Sequence, residues 1–336
     1  MQRIILACLL FGVPFATLAA TTPLTTQAVI KIPGGAHGID FDDIGYLAPL
    51  KRISIPAGAT GNLVLINPAS DALTLISGVS QASASGTPQS EGTTSAMYAE
   101  GYLFASDHDP DEIVAIDPAT HVIVGRTPLA SGPDYIRYVA RTHEIWATEP
   151  DKQQIQVFKL AISAKPGLTP ETVIRIPGGP KSLEIDNRLN RAYSNLWKGK
   201  TVEMELTTHK VLAEWPNTCR RSHGIAIDTA HDHVFVACEG GKVVTLAPAE
   251  DGKLLASARA GVGIDIISYS PRLHHLYVPG ATAETLTIFD ASPAGALKRL
   301  AVYKTAPGAH CVTNDGAGHV FVCAPRTGDV LKIDDR

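Results

Sequence analysis

Apolar and polar residues alternate along most of this chain in short runs, separated by Gly, Pro, Asn and Asp. The runs are rich in β-branched and aromatic residues, and a period of two in such runs predicts strands. The strands recur at a fixed spacing. His223-Gly-Ile-Ala-Ile-Asp228 is followed by His233-Val-Phe-Val236, and Asp265-Ile-Ile-Ser-Tyr-Ser270 by His275-Leu-Tyr-Val278. Ten residues separate the opening positions in both copies, and the same offset links Asp134 to Glu144 and Lys181 to Arg191. His310 to His319 is one residue shorter, and His37-Gly-Ile-Asp-Phe-Asp42 reads as a sister of the His223 copy. A strand-only repeat of roughly 40–50 residues predicts a β-propeller, here with seven units.

Each unit divides into four strands, A to D. The fifth reads as 223–228, 233–238, 242–246 and 253–258. The sixth reads as 265–270, 276–278, 285–289 and 298–303, and the second as 96–99, 102–106, 112–117 and 121–126. The third carries a longer C–D connection around Ala161–Pro170. The first is the least regular, with a Ser/Thr/Gly-rich loop over Ser80–Thr94 that is either a lid or a solvated insertion. The seventh unit supplies only A, B and C, over 310–314, 320–323 and 329–333. Ala28–Pro33 resembles the D strand Glu171–Pro177, and Gly-Gly follows both, so the N-terminal strand is expected to close the last blade. Closure removes the open sheet edge.

The chain opens with Arg3, an apolar run over Ile4–Leu18 and then Ala19-Ala20, the pattern of a secretory signal peptide cleaved near Ala20. The expected organisation is therefore residues 1–20 as signal and 21–336 as one propeller domain, periplasmic or secreted and not membrane-spanning. Cleavage leaves Cys219, Cys238, Cys311 and Cys323. An even count in an exported chain favours disulfides. The repeat register puts Cys219 beside Cys238 and Cys311 beside Cys323, because antiparallel hairpin ends meet. Charge is spread out, with a formal net of −4 and no basic run, so nucleic acid is not an expected partner.

The stretches Leu276–Asp290 and Leu103–Ser106 with Glu112–Asp117 resemble the YVTN-type repeat of exported, YncE-like seven-bladed propellers. The resemblance covers the mature chain. It implies the fold and leaves activity open, since that architecture serves lactonases, streptogramin lyases, dehydrogenase subunits, copper-reductase domains and plain binding proteins.

In a propeller the A strands line a central channel. Residues at one repeat position then point the same way. His37, His223, His310, Asp134, Lys181 and Asp265 share that position, with Thr94 or Glu91 as the counterpart in the second unit. Three imidazoles with open positions suit a transition metal such as Zn, Cu, Fe or Ni, so His37, His223 and His310 are the expected metal ligands. Asp265 or Glu239 would act as base, and Arg221 or Lys181 would hold an anionic substrate. Asp134, Tyr135, Trp197 and Arg326 are the expected ligand-binding residues, with His108, Asp109, Glu149, Lys198 and Arg220 on loops of the same mouth. The alternative is a polar, water-filled funnel without metal. His231, His233, His274, His275 and His319 fall in A–B turns at the opposite face and read as solvated. No Ser-His-Asp order, phosphate loop or haem motif is present, so neither a covalent nucleophile nor a nucleotide cofactor is expected. The expected function is binding of a metal or small molecule by a monomer, as a binding or accessory protein for another periplasmic protein. A metal-assisted lactone hydrolase or lyase is one alternative, and a protein-interaction platform is another.

Overall fold

The computed structural model describes residues 26–81 and 92–335. The signal-peptide segment, Glu91 and most of the Ser80–Thr94 loop lie outside the described residues. Seven four-stranded antiparallel sheets form the blades of a ring. Blade one comprises Gly45–Leu47, Arg52–Ala57, Asn62–Ile66 and Leu73–Ser77 as strands A to D. Blade two is Ala96–Ala99, Tyr102–His108, Asp111–Asp117 and Val122–Pro128, and blade three Ile136–Val139, Glu144–Glu149, Gln154–Ile162 and Pro166–Arg175. Blade four is Glu184–Asp186, Arg191–Leu196, Lys200–Glu205 and Val211–Pro216, and blade five Ser222–Asp228, His233–Cys238, Lys242–Ala247 and Lys253–Arg259. Blade six is Ser268–Ser270, His275–Gly280, Thr285–Ala291 and Leu297–Lys304. Blade seven is Val312–Asn314, His319–Ala324 and Asp329–Asp334, completed by Thr26–Lys31. The N-terminal strand pairs antiparallel with the last one, Ile30 opposite Val330 and Thr26 opposite Ile333, so the closure expected from the sequence is present.

The third unit differs from expectation. Ala161–Pro170 is not a loose connection but an extension of the C–D hairpin, paired as far as Ile162 opposite Pro166. Among the described residues no helix is long and apolar enough to cross a membrane.

The alternating pattern produces seven apolar clusters, each sandwiched between neighbouring blades. Trp146, Ile155 and Val157 of blade three pack on Ala192, Val202 and Met204 of blade four. Ile30 of the closing strand packs in one cluster with Ile53, Ile55 and Val64 of blade one. The core is thus itself a ring around a channel, and the inner strands are free to carry polar residues. Cys219 pairs with Cys238 and Cys311 with Cys323, at Cα separations of 5.2 and 5.6 Å. Such bonds persist in oxidising compartments.

Candidate functional site at the upper channel mouth

The inner strands are stitched to one another by a repeated backbone bond. Gly224 N–H donates to the Asp265 carbonyl at 2.9 Å, Ile266 to His310 at 3.0 Å, and Asp43 to Thr94 at 3.0 Å. At these three junctions the residue after the ring member bonds the ring member of the next blade. Together with the ten-residue spacing, this register gives the ring as Asp42, Thr94, Asp134, Lys181, His223, Asp265 and His310 in blades one to seven. Thr94 is the blade-two member, as the sequence allowed. Gly224 is needed for the approach, because a Cβ there would lie 2.1 Å from the Asp265 carbonyl oxygen.

His37 is a correction. It ends a single 3₁₀ turn, Gly35–His37, exposed on the rim where Ile39 N–H bonds the Pro325 carbonyl. The ring position of blade one belongs to Asp42, five residues later. The likeness of the His37 and His223 hexapeptides misled the register. The ten-residue spacing from Asp42 to Arg52-Ile-Ser-Ile was the signal that identifies it. The three expected metal ligands are therefore not brought together. His310 is in the ring, but its Nδ1 lies 2.8 Å from the Gly308 carbonyl oxygen and its Nε2 2.6 Å from that of Phe41. Both nitrogens thus face backbone carbonyl oxygens, and neither is directed at an open position where an ion could sit.

His223 is different. Its Nδ1 lies 3.1 Å from Asp265 Oδ1, and its Nε2 is buried without a hydrogen-bond partner. The nearest carboxylate oxygen to that nitrogen is Glu239 Oε2, at 3.9 Å. The Trp197 ring lies 4.5 Å from the imidazole, centroid to centroid. Arg221 and Lys181 stand over the same indole at 5.3 and 5.6 Å. Arg221 also pairs with Glu239 at 2.9 Å, and Lys181 with Asp134 at 3.0 Å. The structure thus gathers Lys181, Trp197, Arg221, His223, Glu239 and Asp265 on one side of the mouth, with Asp134 bound to Lys181.

Charge in the ring is unbalanced. Burial, then repulsion from Asp134 and Asp265, pushes the Asp42 carboxyl well above the ordinary carboxylate range, against the pull of Lys181. Burial also raises Asp134, in spite of its Lys181 partner. Burial alone would lower Lys181, but the Asp134 charge and hydrogen bond outweigh it and hold the ammonium above its usual range. Asp265 would be raised by burial, yet the His223 hydrogen bond and the charges of His223, His310 and Lys181 hold it below.

Tyr135 is buried in the channel, where burial and the nearby Asp42 and Asp265 carboxylates raise its phenol. It lines a cavity of ≈ 490 Å³ deeper in the channel, with Tyr46, Met97, Tyr98, Arg137 and Glu184. In that cavity the cation is already engaged by carboxylates. Arg137 donates to both Asp43 oxygens at 2.5 and 3.0 Å and lies 3.5 Å from Glu184. The mouth, with an orphaned imidazole nitrogen, is the better candidate for chemistry.

Arg326 is exposed on the blade-seven rim beside the His37 turn, away from this cluster. Glu149 is fully buried, accepting hydrogen bonds from Ala130 N–H and the Gln154 amide, and so holds a loop. His108 Nε2 lies 2.7 Å from the Pro133 carbonyl oxygen. Among the described residues, two groups of three potential ligands have donor atoms within 4.8 Å of one another: His310–Cys311–Cys323 and Asp228–His231–His274. The first is not a thiolate site, because both cysteines are in a disulfide.

No protein-family model and no curated protein matches the sequence. Solved structures do match in fold. A chain of the Mitotic Checkpoint Complex superposes with a TM-score of 0.77 at 11% identity, covering 100% of this chain and 99% of that one. Hydrazine synthase of Kuenenia stuttgartiensis gives 0.72 at 12% identity, covering 92% and 97%. At such identities the likeness is one of fold alone.

Proposed function

We propose that this chain is an exported ligand-binding propeller that holds a transition metal ion at the upper mouth of its channel, centred on His223. The observation that carries this reading is the buried, unpartnered Nε2 of His223. An imidazole that gives its Nδ1–H to a carboxylate presents Nε2 as a lone pair, and this carboxylate–histidine arrangement is the usual outer support of a metal ligand. Asp265 is that support, and Glu239 Oε2, 3.9 Å away, is the second donor. Two protein donors leave positions open for water or a bound molecule, and such a site can polarise a carbonyl or acidify water. Trp197, with Arg221 and Lys181 over it, is suited to a flat molecule carrying negative charge. The YVTN-like sequence pattern, the signal-like N-terminus and the two disulfides support a periplasmic or secreted protein.

Trp197 provides the test. Cu(II) bound at His223 lies close enough to quench its fluorescence. Quenching should be saturable, lost in Trp197→Phe and lost in His223→Ala. Quenching that persists unchanged in His223→Ala contradicts the reading.

The same Asp265–His223 pair favours a second reading, a lactonase-like hydrolase or lyase with His223 as oriented general base. Turnover of lactones that survives a chelator and falls in both His223→Ala and Asp265→Asn would select it.

A further inference from the structure

The A–B turns at the lower face were expected to present solvated histidines. They instead hold a network of His–carboxylate–Tyr contacts. In blade three the Tyr138 hydroxyl donates to Glu100 of blade two and lies 3.2 Å from His143 Nδ1. Blade six repeats this at the same positions. Tyr269 O–H donates to Asp228 Oδ2 of blade five at 2.9 Å and lies 3.2 Å from His274 Nδ1. One histidine per clasp is enough to tie neighbouring blades together. The clasp between blades five and six has more. His231 Nδ1 lies 2.7 Å from Asp228 Oδ2, and its ring is 5.9 Å from that of His274. His233 stacks on His231 at 6.1 Å, and its Nδ1 is buried without a partner.

We infer that Asp228, His231 and His274 form a second metal site, for Zn(II) or a similar divalent transition ion, bridging blades five and six at the lower face. One donor atom from each residue lies within 4.8 Å of the others. Zinc bonds of ~2.0–2.2 Å place the donors of a tetrahedral ion roughly 3.4 Å apart, so small side-chain rotations convert the hydrogen-bonded arrangement into a coordinated one. The donor set, two imidazoles and one carboxylate, is a common one for catalytic zinc and leaves a fourth position for water. His231 and His274 are both partly open to solvent, which gives the ion an entry path. The Tyr269 hydroxyl, already on Asp228, would remain as the outer support of the carboxylate. The site is independent of the mouth and rests on none of its residues.

Metal-stripped protein titrated with Zn(II) should show an equivalent that weakens at least roughly tenfold in His231→Ala and in His274→Ala. That equivalent should persist in His223→Ala, which removes only the mouth ligand, and in His143→Ala, which alters the one-histidine clasp. Anomalous diffraction from Zn-soaked crystals of the unmodified protein guards against variants that fail to fold. A peak between His231, His274 and Asp228 is expected, whether or not a second peak appears at His223. Zinc uptake unchanged in the His231→Ala, His274→Ala double variant, or no anomalous peak at this position, overturns the inference.

Discussion

His223, Asp42 and Gly224 show how single side chains set the mouth. Asp42 is a carboxyl whose ionisation the fold opposes, through burial and the neighbouring carboxylates of Asp134, Asp265 and Asp43. A raised native pKa contributes stability below the ordinary carboxylate range, near ~4, and that stability is lost as pH rises through the raised value. Asp42→Asn should therefore unfold at a higher temperature than the parent at pH 7–8, with the difference vanishing near pH ~3–4. Thermal melts across pH check this, and a variant less stable at neutral pH would contradict it. Gly224 acts by lacking a side chain, since a Cβ would meet the Asp265 carbonyl. Gly224→Ala should shift the His223 and Asp265 strands apart and weaken metal binding at the mouth while leaving the protein folded. The ring itself was legible through the ten-residue spacing, except where the stronger local likeness of His37-Gly-Ile to His223-Gly-Ile overrode it. What no spacing could reveal is which ring nitrogen is engaged: His310 and His223 occupy equivalent positions, yet only the fold brings carbonyl oxygens to both nitrogens of His310.

At the scale of strands and hairpins, the cysteines bind ends that the register already brings together, which is why their pairing could be read from the repeat. Cys219→Ser with Cys238→Ser should cost ~2–4 kcal/mol in urea unfolding, the usual range for such a bond. No loss would show that the blade-five hairpin is held by packing alone. The lower-face turns read as solvated from the sequence because some carboxylate partners lie in other blades, and because the local pairs, Asp228 with His231 and Asp315 with His319, carry no spacing that separates a bonded pair from a solvated turn. Within blade seven His319 binds Asp315 at 2.6 Å, and from blade six His275 and Tyr277 both bind Asp335 at the end of blade seven, at 2.8 and 2.7 Å. Burial would raise both aspartates, but these hydrogen bonds outweigh it and hold them below their ordinary range. A depressed native pKa gives stability that is present above the ordinary carboxylate range and lost as pH falls below ~4. Asp315→Asn and Asp335→Asn should lower stability at neutral pH and flatten the acid limb of the stability curve. An acid limb identical to the parent's would contradict this.

Across the whole molecule, the seven inter-blade cores make closure a cooperative property. Ile30 and Ile32 of the N-terminal segment lie in the cluster between blades seven and one, so the closing strand supplies packing as well as backbone pairing. Removing residues 26–35 should abolish a single cooperative unfolding transition, and a truncated protein that melts like the parent would show the ring does not need its closing strand. The architecture was legible because strand alternation and a long-period repeat are local properties of sequence. The distribution of function around the channel was less so, because it depends on which blade faces meet. The two proposed metal positions lie at opposite faces of the ring, His223 above and, between blades five and six, Asp228, His231 and His274 below. The most direct test counts bound Zn(II) by equilibrium dialysis and elemental analysis in the tag-free parent, His223→Ala and His37→Ala proteins. His223→Ala should bind one equivalent fewer than the parent, and His37→Ala should bind as the parent does. A parent-like count in His223→Ala, or a loss in His37→Ala, would contradict the assignment of the mouth to His223.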